Sequence, residues 1–561
     1  MKYYTIKTII IVAFLFTGCT KDLDLIPQSN ISDATFWKSA TDYKLAANNL
    51  YNSLQGFGFD DNESDIAFSR ANSISNGTYQ TTETDGNWNT PYTYIRRCNK
   101  IITKAEMDAG AEVKIKRFWA EAKFFRAYNY WRLFRLYGGV PLITEELDIN
   151  SKELYAPRNN RKETVDFILA DLTEAVASLP EKKDLSKEDI GRITRGAALA
   201  LKARVALFEG TWGKYRGDNN ANGYLDMAIT SSESVINSSQ YSLYNGKGDQ
   251  SYRYLFIEQG DDASECILDR RYQRDISSHD YTHSLQVGSY LPTKKLADMY
   301  LAKDGLPIAQ SSFFQDYNTT ISEFQNRDPR MTMTILVPGT AITQPIMGAA
   351  PVESWPFYPQ RNPNTGYIIY KFFSEDVISN GLQANGNSSS VDCHLIRYAE
   401  VLLVYAEATI ERNGTISDAD LGKSINIVRQ RVNMPLLTNV FVAANGLDMK
   451  QEIRRERTVE LALEGFRYDD LRRWKIAESE LPQDIKGVKI KGSNWTDPVI
   501  INGSNKNPYA GASWQNATDV NGFIICEKGS TRTFDPAKHY LRPLPTKEIL
   551  LNPNLEQNPG W

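Results

Sequence analysis

Three glutamates in the last third of the chain have a spacing that could support acid/base chemistry. They recur at every fourth position, as Glu456, Glu460 and Glu464. On a helix this spacing places three carboxylates along one face, where they could exchange protons with a substrate. Arginines are interleaved in the same segment, as Arg457, Arg467 and Arg472. We therefore interpret the glutamates as part of a structural ion-pair network between helices.

Two of the four histidines, His279 and His283, are also four residues apart. On a helix they could present two ring nitrogens to one metal ion. No glutamate follows the first histidine as it does in the HExxH motif of zinc proteases, and Ser277, Ser278 and Gly288 favour a loop. We predict no metal ligands here and no cofactor. The sequence leaves open a structural Ca²⁺ in the loops rich in Asp and Asn.

The composition excludes several other classes of site. The chain has 561 residues with only four His and five Cys, too few for a Cys/His-rich metal module or a disulfide-dense scaffold. With 64 Lys and Arg against 68 Asp and Glu, the formal net charge is −4, which gives no sign of a nucleic-acid partner. We find no GxSxG, P-loop or GxGxxG signature. A pair of glycosidase carboxylates stays open, because such residues are distant in sequence.

The first residues have the pattern of an export signal. Two lysines precede the apolar run Ile9–Phe16, which is too short to span a bilayer. We predict a signal peptide over residues 1–18. Cys19 follows a small residue, as in bacterial lipoproteins, and we expect it to carry lipid and to begin a flexible tether over residues 19–30. The other four cysteines are predicted to be buried thiols, with one or two disulfides as the alternative: Cys98, Cys266, Cys393 and Cys526.

Helical periodicity dominates the parts of the chain that must position any site. We predict one domain over residues 31–561, mostly α-helical with a few short strands. Its helical scaffold is expected at about 31–54, 95–240 and 391–475. Individual helices are predicted at 113–137, 164–179, 194–209, 225–238, 397–412, 421–432 and 449–475. Alanines at every third position from Ala197 to Ala206 predict close helix contacts, as in tetratricopeptide hairpins.

Long loops rich in Gly, Asn and aromatic residues are predicted at about 55–94, 245–390 and 482–540. The C–H faces of sugars pack on aromatic rings, while their hydroxyls bond to nearby amides and carboxylates. Loop aromatics next to such groups are therefore the candidate binding residues. The predicted ligand-binding set is Asp85, Asn87, Trp88, Asn89, Tyr281, Trp355 and Tyr358.

A series of ordered motifs runs through the whole chain. They include Leu23–Pro27, Trp88-x3-Tyr92, Ala120–Ala127, Leu136–Leu142, Arg397–Ala408, Glu464–Arg467 and Gln557–Trp561. In this order the chain resembles the SusD/RagB family of outer-membrane nutrient-binding lipoproteins of Bacteroidetes.

The resemblance implies a SusD-like fold with four tetratricopeptide-like hairpins and a cell-surface glycan-binding role. It implies delivery to a SusC-like TonB-dependent transporter, anchorage to the outer membrane on its extracellular side, and no enzyme activity. It also singles out Trp88, Tyr281 and Trp355, because ligands of the family lie over an aromatic arc. Two alternatives stay open: a cargo of peptides or glycopeptides, and a structural lid on the transporter with little affinity of its own.

Overall fold

A computed structural model describes most of the chain after the first 35 residues. The described residues are 36–58, 60–107, 113–286, 290–344, 352–356, 365–374, 389–498, 500–501, 503–505, 507, 509–510 and 517–561. The predicted signal peptide, Cys19, the tether and Tyr358 lie outside them. None of the helices in these ranges is long and apolar enough to cross a membrane.

The protein is mostly α-helical, as predicted, and its longest helices lie in the first half of the chain. The helices of this part are α1 (Ala40–Leu50), α2 (Ser73–Asn76), α3 (Gly86–Met107), α4 (Val113–Tyr137), α5 (Arg161–Ser178), α6 (Arg195–Lys214) and α7 (Ala221–Asn237), of which α3 to α7 are the long ones. Short helices then follow: α8 (Ser251–Tyr254), α9 (Tyr281–Gln286), α10 (Lys294–Met299) and α11 (Pro329–Thr334). The second helical block contains α12 (Tyr398–Asn413), α13 (Asp418–Gly422), α14 (Ile425–Arg431), α15 (Asn439–Ala444), α16 (Met449–Glu460), α17 (Arg467–Arg473) and α18 (Ala477–Glu480), and α19 (Thr546–Leu551) lies near the C-terminus.

Consecutive long helices pack against one another as hairpins. α3 packs on α4, α5 on both α4 and α6, and α6 on α7. Ala197, Ala200, Ala203 and Ala206 are all buried in α6, so the predicted close approach of neighbouring helices is present. The starts of α5 and α6 are fixed by N-caps: the Asn160 side chain accepts from the backbone of Glu163, and the Thr194 hydroxyl accepts from that of Ala197.

Three sequence expectations about helices need correction. The predicted helix over 449–475 is broken after Glu460, and Leu463 and Gly465 take positive φ angles of 66° and 84° before α17 begins. The predicted helix over 421–432 is likewise divided between α13 and α14. The loop predicted up to residue 94 ends earlier, because α3 already begins at Gly86.

The strands are short and pair two by two, in antiparallel order. They are β1 (Ala67–Phe68), β2 (Cys266–Arg270), β3 (Leu291–Pro292), β4 (Ala341–Gln344), β5 (Val352–Pro356), β6 (Cys393–Arg397), β7 (Ile485–Lys489), β8 (Ile500–Ile501), β9 (Ser504–Asn505) and β10 (Phe523–Glu527). The pairs are β1 with β3, β2 with β6, β4 with β5, β7 with β10, and β8 with β9. The pair of β2 and β6 joins the loop-rich middle of the chain to the start of α12.

The hydrophobic interior contains two large clusters of buried side chains. One is formed by the long helices of the first half and includes Trp131 and Phe208. The other lies under the loop-rich regions and includes Phe256, Tyr281 and Phe372. Among the cysteines that the structure describes, Cys98, Cys266 and Cys393 are buried free thiols, as predicted, and Cys526 is a half-buried one.

The three glutamates of the predicted network are buried, and each binds cations brought by other segments. Glu460 contacts three guanidinium groups, at 2.9, 2.7 and 2.6 Å: Arg330, Arg397 and Arg431. Glu456 pairs with Arg330 and Arg429, and Glu464 with Arg397 and Lys371. A structural ion-pair role is therefore confirmed, although Glu464 lies beyond the end of α16 and does not share one helix face with the other two.

The arginines that the sequence suggested as partners bind other carboxylates. Arg457 pairs with Asp470 at 2.9 Å and Arg472 pairs with Asp469 at 2.5 Å. Arg467 reaches across the molecule to Asp65 at 2.8 Å. Asp469 and Asp470 lie in α17, whereas Asp65 lies in the first loop region. The spacing of the three glutamates does not reveal these partners.

The first loop region is fixed by residues at the start of α17. Asp61 accepts hydrogen bonds from the backbone N–H groups of Gly465 and Arg467, at 3.0 and 3.1 Å. Arg467 in turn donates two hydrogen bonds to Asp65, at 2.8 and 2.9 Å. Two segments far apart in sequence are thus held together by a buried polar contact.

Candidate functional site

Five aromatic rings, including the predicted residue Tyr281, form a cluster between the first loop region and the middle of the chain. They belong to Phe57, Tyr272, His279, Tyr281 and Phe372. Phe57 lies at its centre and stacks on Tyr281 with ring centroids 4.6 Å apart and an angle of 15°. It also contacts His279 at 4.6 Å and Phe372 at 5.8 Å, and Tyr272 packs on His279 at 4.7 Å. The rings therefore support one another as a rigid unit.

Only part of this aromatic cluster faces solvent. Tyr281 is 5% exposed and Phe372 is 7% exposed, so both form its base. Phe57, Tyr272 and His279 are half-buried and supply the accessible ring surface. Gly56 permits this arrangement, because a Cβ atom there would lie 2.0 Å from the Tyr272 hydroxyl.

His279 is held in its neutral form by its surroundings. Burial lowers the pKa of His279 to about 4, and its Nε2 lies 3.1 Å from the Val391 carbonyl oxygen. The prediction of a loop around the two histidines is wrong from Tyr281 onward, because α9 begins there. His283 lies in that helix and His279 precedes it, so the two do not share one helix face.

A polar surface groove begins next to Tyr272. Its volume is about 450 Å³, and its lining includes Asn48, Asn52, Arg270, Arg271 and Ser277. The Arg270 guanidinium also lies 5.4 Å from the centre of the Tyr272 ring. Amide, hydroxyl and guanidinium groups of this kind are the hydrogen-bond partners that sugar hydroxyls need beside an aromatic surface.

On its inner side the aromatic cluster forms one wall of a cavity of about 130 Å³. The opposite wall consists of Trp131, Phe208 and other helix residues, and His394 also lines it. This volume is well below the roughly 300–1,000 Å³ of usual small-molecule pockets. The cavity is therefore too small for an oligosaccharide, which leaves the outer face of the cluster and the groove as the candidate surface.

The predicted residues around Trp88 form the start of α3 instead of a binding loop. The Asp85 carboxylate accepts from the Asn87 backbone at 2.8 Å and from the Tyr137 hydroxyl at 2.6 Å. Trp88 is 3% exposed, and its ring packs against Tyr92 and Tyr137 at 5.3 and 5.1 Å. This burial corrects the stacking role predicted for Trp88, because its ring face is not accessible to a sugar.

The exposed amide of Asn89 and the half-buried one of Asn87 lie beside this packed tryptophan. Their predicted contact with a ligand therefore lacks the aromatic partner on which it was based. Tyr281, by contrast, belongs to the aromatic cluster, although as its base and not as its exposed surface.

We expect Trp88→Phe to lower the free energy of unfolding by about 1–2 kcal/mol without weakening ligand binding, since the smaller ring leaves a void beside Tyr137. Chemical denaturation measures the first effect and ligand titration the second. Loss of affinity at unchanged stability would return Trp88 to the binding site.

Comparison with known proteins decides the family. Residues 233–561 match a family model described as the SusD family, and residues 29–207 match one described as starch-binding associating with outer membrane. The chain belongs to the SusD family. A SusD-like protein of Bacteroides ovatus is 25% identical, over 98% of this chain and 96% of that protein. SusD-like protein P2 of Formosa agariphila is 24% identical over the full length of both.

Solved structures of SusD-like proteins share the fold. A SusD-like carbohydrate binding protein from Bacteroides fragilis superposes with a TM-score of 0.72 at 24% identity, covering 93% of this chain and all of the other. Surface glycan-binding protein A from Bacteroides fluxus has a TM-score of 0.60 at 19% identity, with 93% of this chain and all of the other covered. At these identities the likeness concerns the fold alone.

Two candidate site residues of this SusD-family chain are absent from the predicted set, and two predicted residues have no described side chain. Phe57 and Tyr272 supply the accessible rings; the flanking glycines of Gly56-Phe57-Gly58 were the available signal for the first. Trp355 lies in β5, where its backbone pairs with Ile342, but its side chain is outside the described part of the structure. Binding roles for Trp355 and Tyr358 therefore stay predictions.

Proposed function

We propose that this SusD-family protein is a cell-surface lipoprotein that captures an oligo- or polysaccharide and passes it to a SusC-like TonB-dependent transporter. Three observations support the proposal: the family model described as starch-binding with outer-membrane association, the carbohydrate-binding and glycan-binding names of its structural neighbours, and the lipoprotein pattern before Cys19. Lipid on Cys19 would hold the domain at the outer-membrane surface.

The aromatic cluster next to a polar groove is the observation that carries this proposal. Half-exposed Phe57 and Tyr272 rest on the buried Tyr281 and Phe372. A platform that is already rigid loses little conformational entropy when a sugar stacks on it. The adjoining groove offers amides and guanidiniums to the hydroxyls at the ring edge.

The same geometry favours binding without turnover. Glu456, Glu460 and Glu464 are the acids whose spacing suggested proton transfer. Each is buried and bound by guanidinium or ammonium groups, so none is free to protonate a glycosidic oxygen.

We expect Phe57→Ala to weaken glycan binding about tenfold, equivalent to about 1.4 kcal/mol, since it removes the central ring of the platform. Isothermal titration of the domain without its signal and tether measures the effect. Maltooligosaccharides are the first probe, and a broad glycan array identifies the ligand if they do not bind. Phe313→Ala is the matched control, because that ring is 40% exposed and lies outside the cluster.

Two outcomes would contradict the proposal. Equal affinity of the Phe57→Ala and Phe313→Ala variants for a ligand of the wild-type protein would place the site elsewhere. A wild-type domain that binds no glycan on the array would exclude a glycan cargo. Titration with peptides, and titration of the complex with the transporter, would then separate a peptide-binding protein from a structural lid.

A further inference from the structure

Three potential metal-ligating side chains converge at the pair of β2 and β6, behind the aromatic cluster. They are Cys266, Asp269 and His394. The His394 Nδ1 atom lies 2.8 Å from the Asp269 Oδ1 and 3.3 Å from the Cys266 Sγ. One donor atom of each residue lies within 4.8 Å of the other two. Sulfur, imidazole nitrogen and carboxylate oxygen are the donors that zinc prefers.

Irregular strand pairing brings these side chains to one point. In a regular strand, residues three apart point to opposite faces of the sheet, which would separate Cys266 from Asp269. The pairing shifts both between Cys266 and Leu268 and between Leu268 and Asp269. Such bulges redirect side chains and are frequent beside functional sites. Here the result is that Cys266 and Asp269 face the same histidine, which pairs directly with Asp269 across the two strands.

The orientation of His394 suits a metal ligand. Its Nε2 lies 2.7 Å from the Leu255 carbonyl oxygen, so this nitrogen carries a proton and donates it. Metal-bound histidines commonly donate their second ring N–H to a carbonyl in this way, which fixes the ring and leaves the other nitrogen for the metal. The Nδ1 atom is the one that faces Cys266 and Asp269.

A cysteine nucleophile is the obvious alternative, and the geometry opposes it. In such a triad the cysteine and the carboxylate contact different nitrogens of the histidine, so that the ring can relay a proton. Here both make their closest contact with Nδ1.

The surroundings supply negative charge that a cation would neutralise. The backbone N–H of Asp392 donates to the Asp261 carboxylate at 2.9 Å, and Arg271 lies 3.7 Å from Asp392. Asp261 and Asp392 both interact electrostatically with His394, so two carboxyl groups besides Asp269 lie near the three side chains.

We propose that Cys266, Asp269 and His394 bind a divalent transition metal of the zinc class. Ligands of tetrahedral zinc at bond lengths of about 2.0–2.3 Å lie about 3.3–3.6 Å apart, so the contact between Asp269 and His394 must lengthen by about half an ångström. Coordination displaces the proton of the Cys266 thiol and any proton on Nδ1. The Gly260 carbonyl oxygen, 3.6 Å from the Cys266 sulfur, or a water completes the shell.

Such a metal would also fix the segment that carries Tyr272, one of the accessible rings of the aromatic cluster. His394 lies two residues after Asp392, whose carboxylate accepts from the Tyr272 backbone N–H at 2.6 Å. One bond from the metal to β6 and two bonds to β2 would hold the two strands together next to the segment that carries Tyr272. The metal site itself does not depend on the nature of the cargo.

The test is metal binding to the purified domain, first stripped with a chelator and kept reduced. We expect one Zn²⁺ per chain in equilibrium dialysis, and Co²⁺ as a probe should give a sulfur-to-cobalt charge-transfer absorption. Cys266→Ser should abolish that absorption and weaken Zn²⁺ binding at least about tenfold, and Asp269→Asn should weaken it about tenfold. Cys526→Ser is the matched control and should change neither result.

Two outcomes would overturn the proposal: a reduced wild-type domain that takes up less than one Zn²⁺ per chain, or binding that Cys266→Ser and Asp269→Asn both leave unchanged. Asp269 lies nearer the surface, with 13% of its side chain exposed, so its variant decides the matter should Cys266→Ser fail to fold. Thermal melting of each metal-free variant checks folding.

Discussion

Replacing Glu460 with glutamine is expected to lower the free energy of unfolding by about 3–5 kcal/mol. The side chain is wholly buried and contacts the guanidiniums of Arg330, Arg397 and Arg431 at 2.6–2.9 Å. Glutamine keeps the shape but removes the charge, and its amide N–H₂ points a donor at groups that can only donate. The three buried cations would then share the remaining carboxylates, which are Asp328, Glu456, Glu464 and Glu265. The desolvation of these cations would be poorly compensated.

Urea denaturation monitored by tryptophan fluorescence measures this loss. Asp226→Asn is the matched control, because Asp226 pairs with Arg412 at 2.8 Å while 54% of the carboxylate side chain stays exposed. Exposed pairs contribute about 0–1 kcal/mol, so the control should shift stability by no more than that. Similar losses of unfolding free energy in Glu460→Gln and Asp226→Asn would show that the buried network stabilises the protein no more than an exposed ion pair does.

Stability is expected to fall steeply as the pH drops from about 5 to 2, because the network needs its carboxylates ionised. Burial alone would raise the pKa of Glu407, but the contact with Arg473 outweighs it and lowers that pKa to about 2. A carboxyl group with a lowered pKa contributes stability above its ordinary pKa, and the contribution is lost as the pH falls through the folded value. The pKa values of Glu456, Glu464 and Asp469 are lowered for the same reason.

Two buried acids act in the opposite direction. Burial raises the pKa of Asp61 and of Glu323 to about 7, so their contribution is present at low pH and is lost as the pH rises toward 7. Urea midpoints at pH 6, 4 and 3 measure the balance. The Glu407→Gln variant should be less stable than the wild-type protein at pH 6, and its stability should fall less between pH 6 and 3. The stability of the Glu323→Gln variant should fall at least as much as that of the wild-type protein. A midpoint unchanged between pH 6 and 3 would contradict the expectation.

The long helices could be predicted because their signals are local. The helix expected over 113–137 forms as Val113–Tyr137, since a long periodic pattern ends there at two glycines. The segment after Glu460 could not be predicted in this way. Glu464 leaves the helical path and binds Arg397 and Lys371, and those partners lie 67 and 93 residues away in sequence. The ending of α16 is thus fixed by contacts that no local pattern encodes.

The candidate site was predictable only in part, for a related reason. Aromatic and polar residues that are adjacent in sequence predict Trp88 and Tyr281 as binding residues. The exposure of a ring, however, depends on neighbours that are distant in sequence. Tyr137 covers Trp88, whereas the glycines beside Phe57 leave that ring half open. The three metal-site candidates are still less visible, because His394 lies 125 residues beyond Asp269 and only strand pairing brings them together.

The contact of Asp61 and Asp65 with Gly465 and Arg467 has a consequence for how this protein folds. Its partners are separated by more than 400 residues, from 402 to 406. Chains are made from the N-terminus onward, so the loop holding the two aspartates exists long before the residues that bind it. Closing so long a loop carries a large entropic cost and slows folding. The first loop region, which carries Phe57, therefore makes this contact only after Arg467 of the 561 residues has been synthesised.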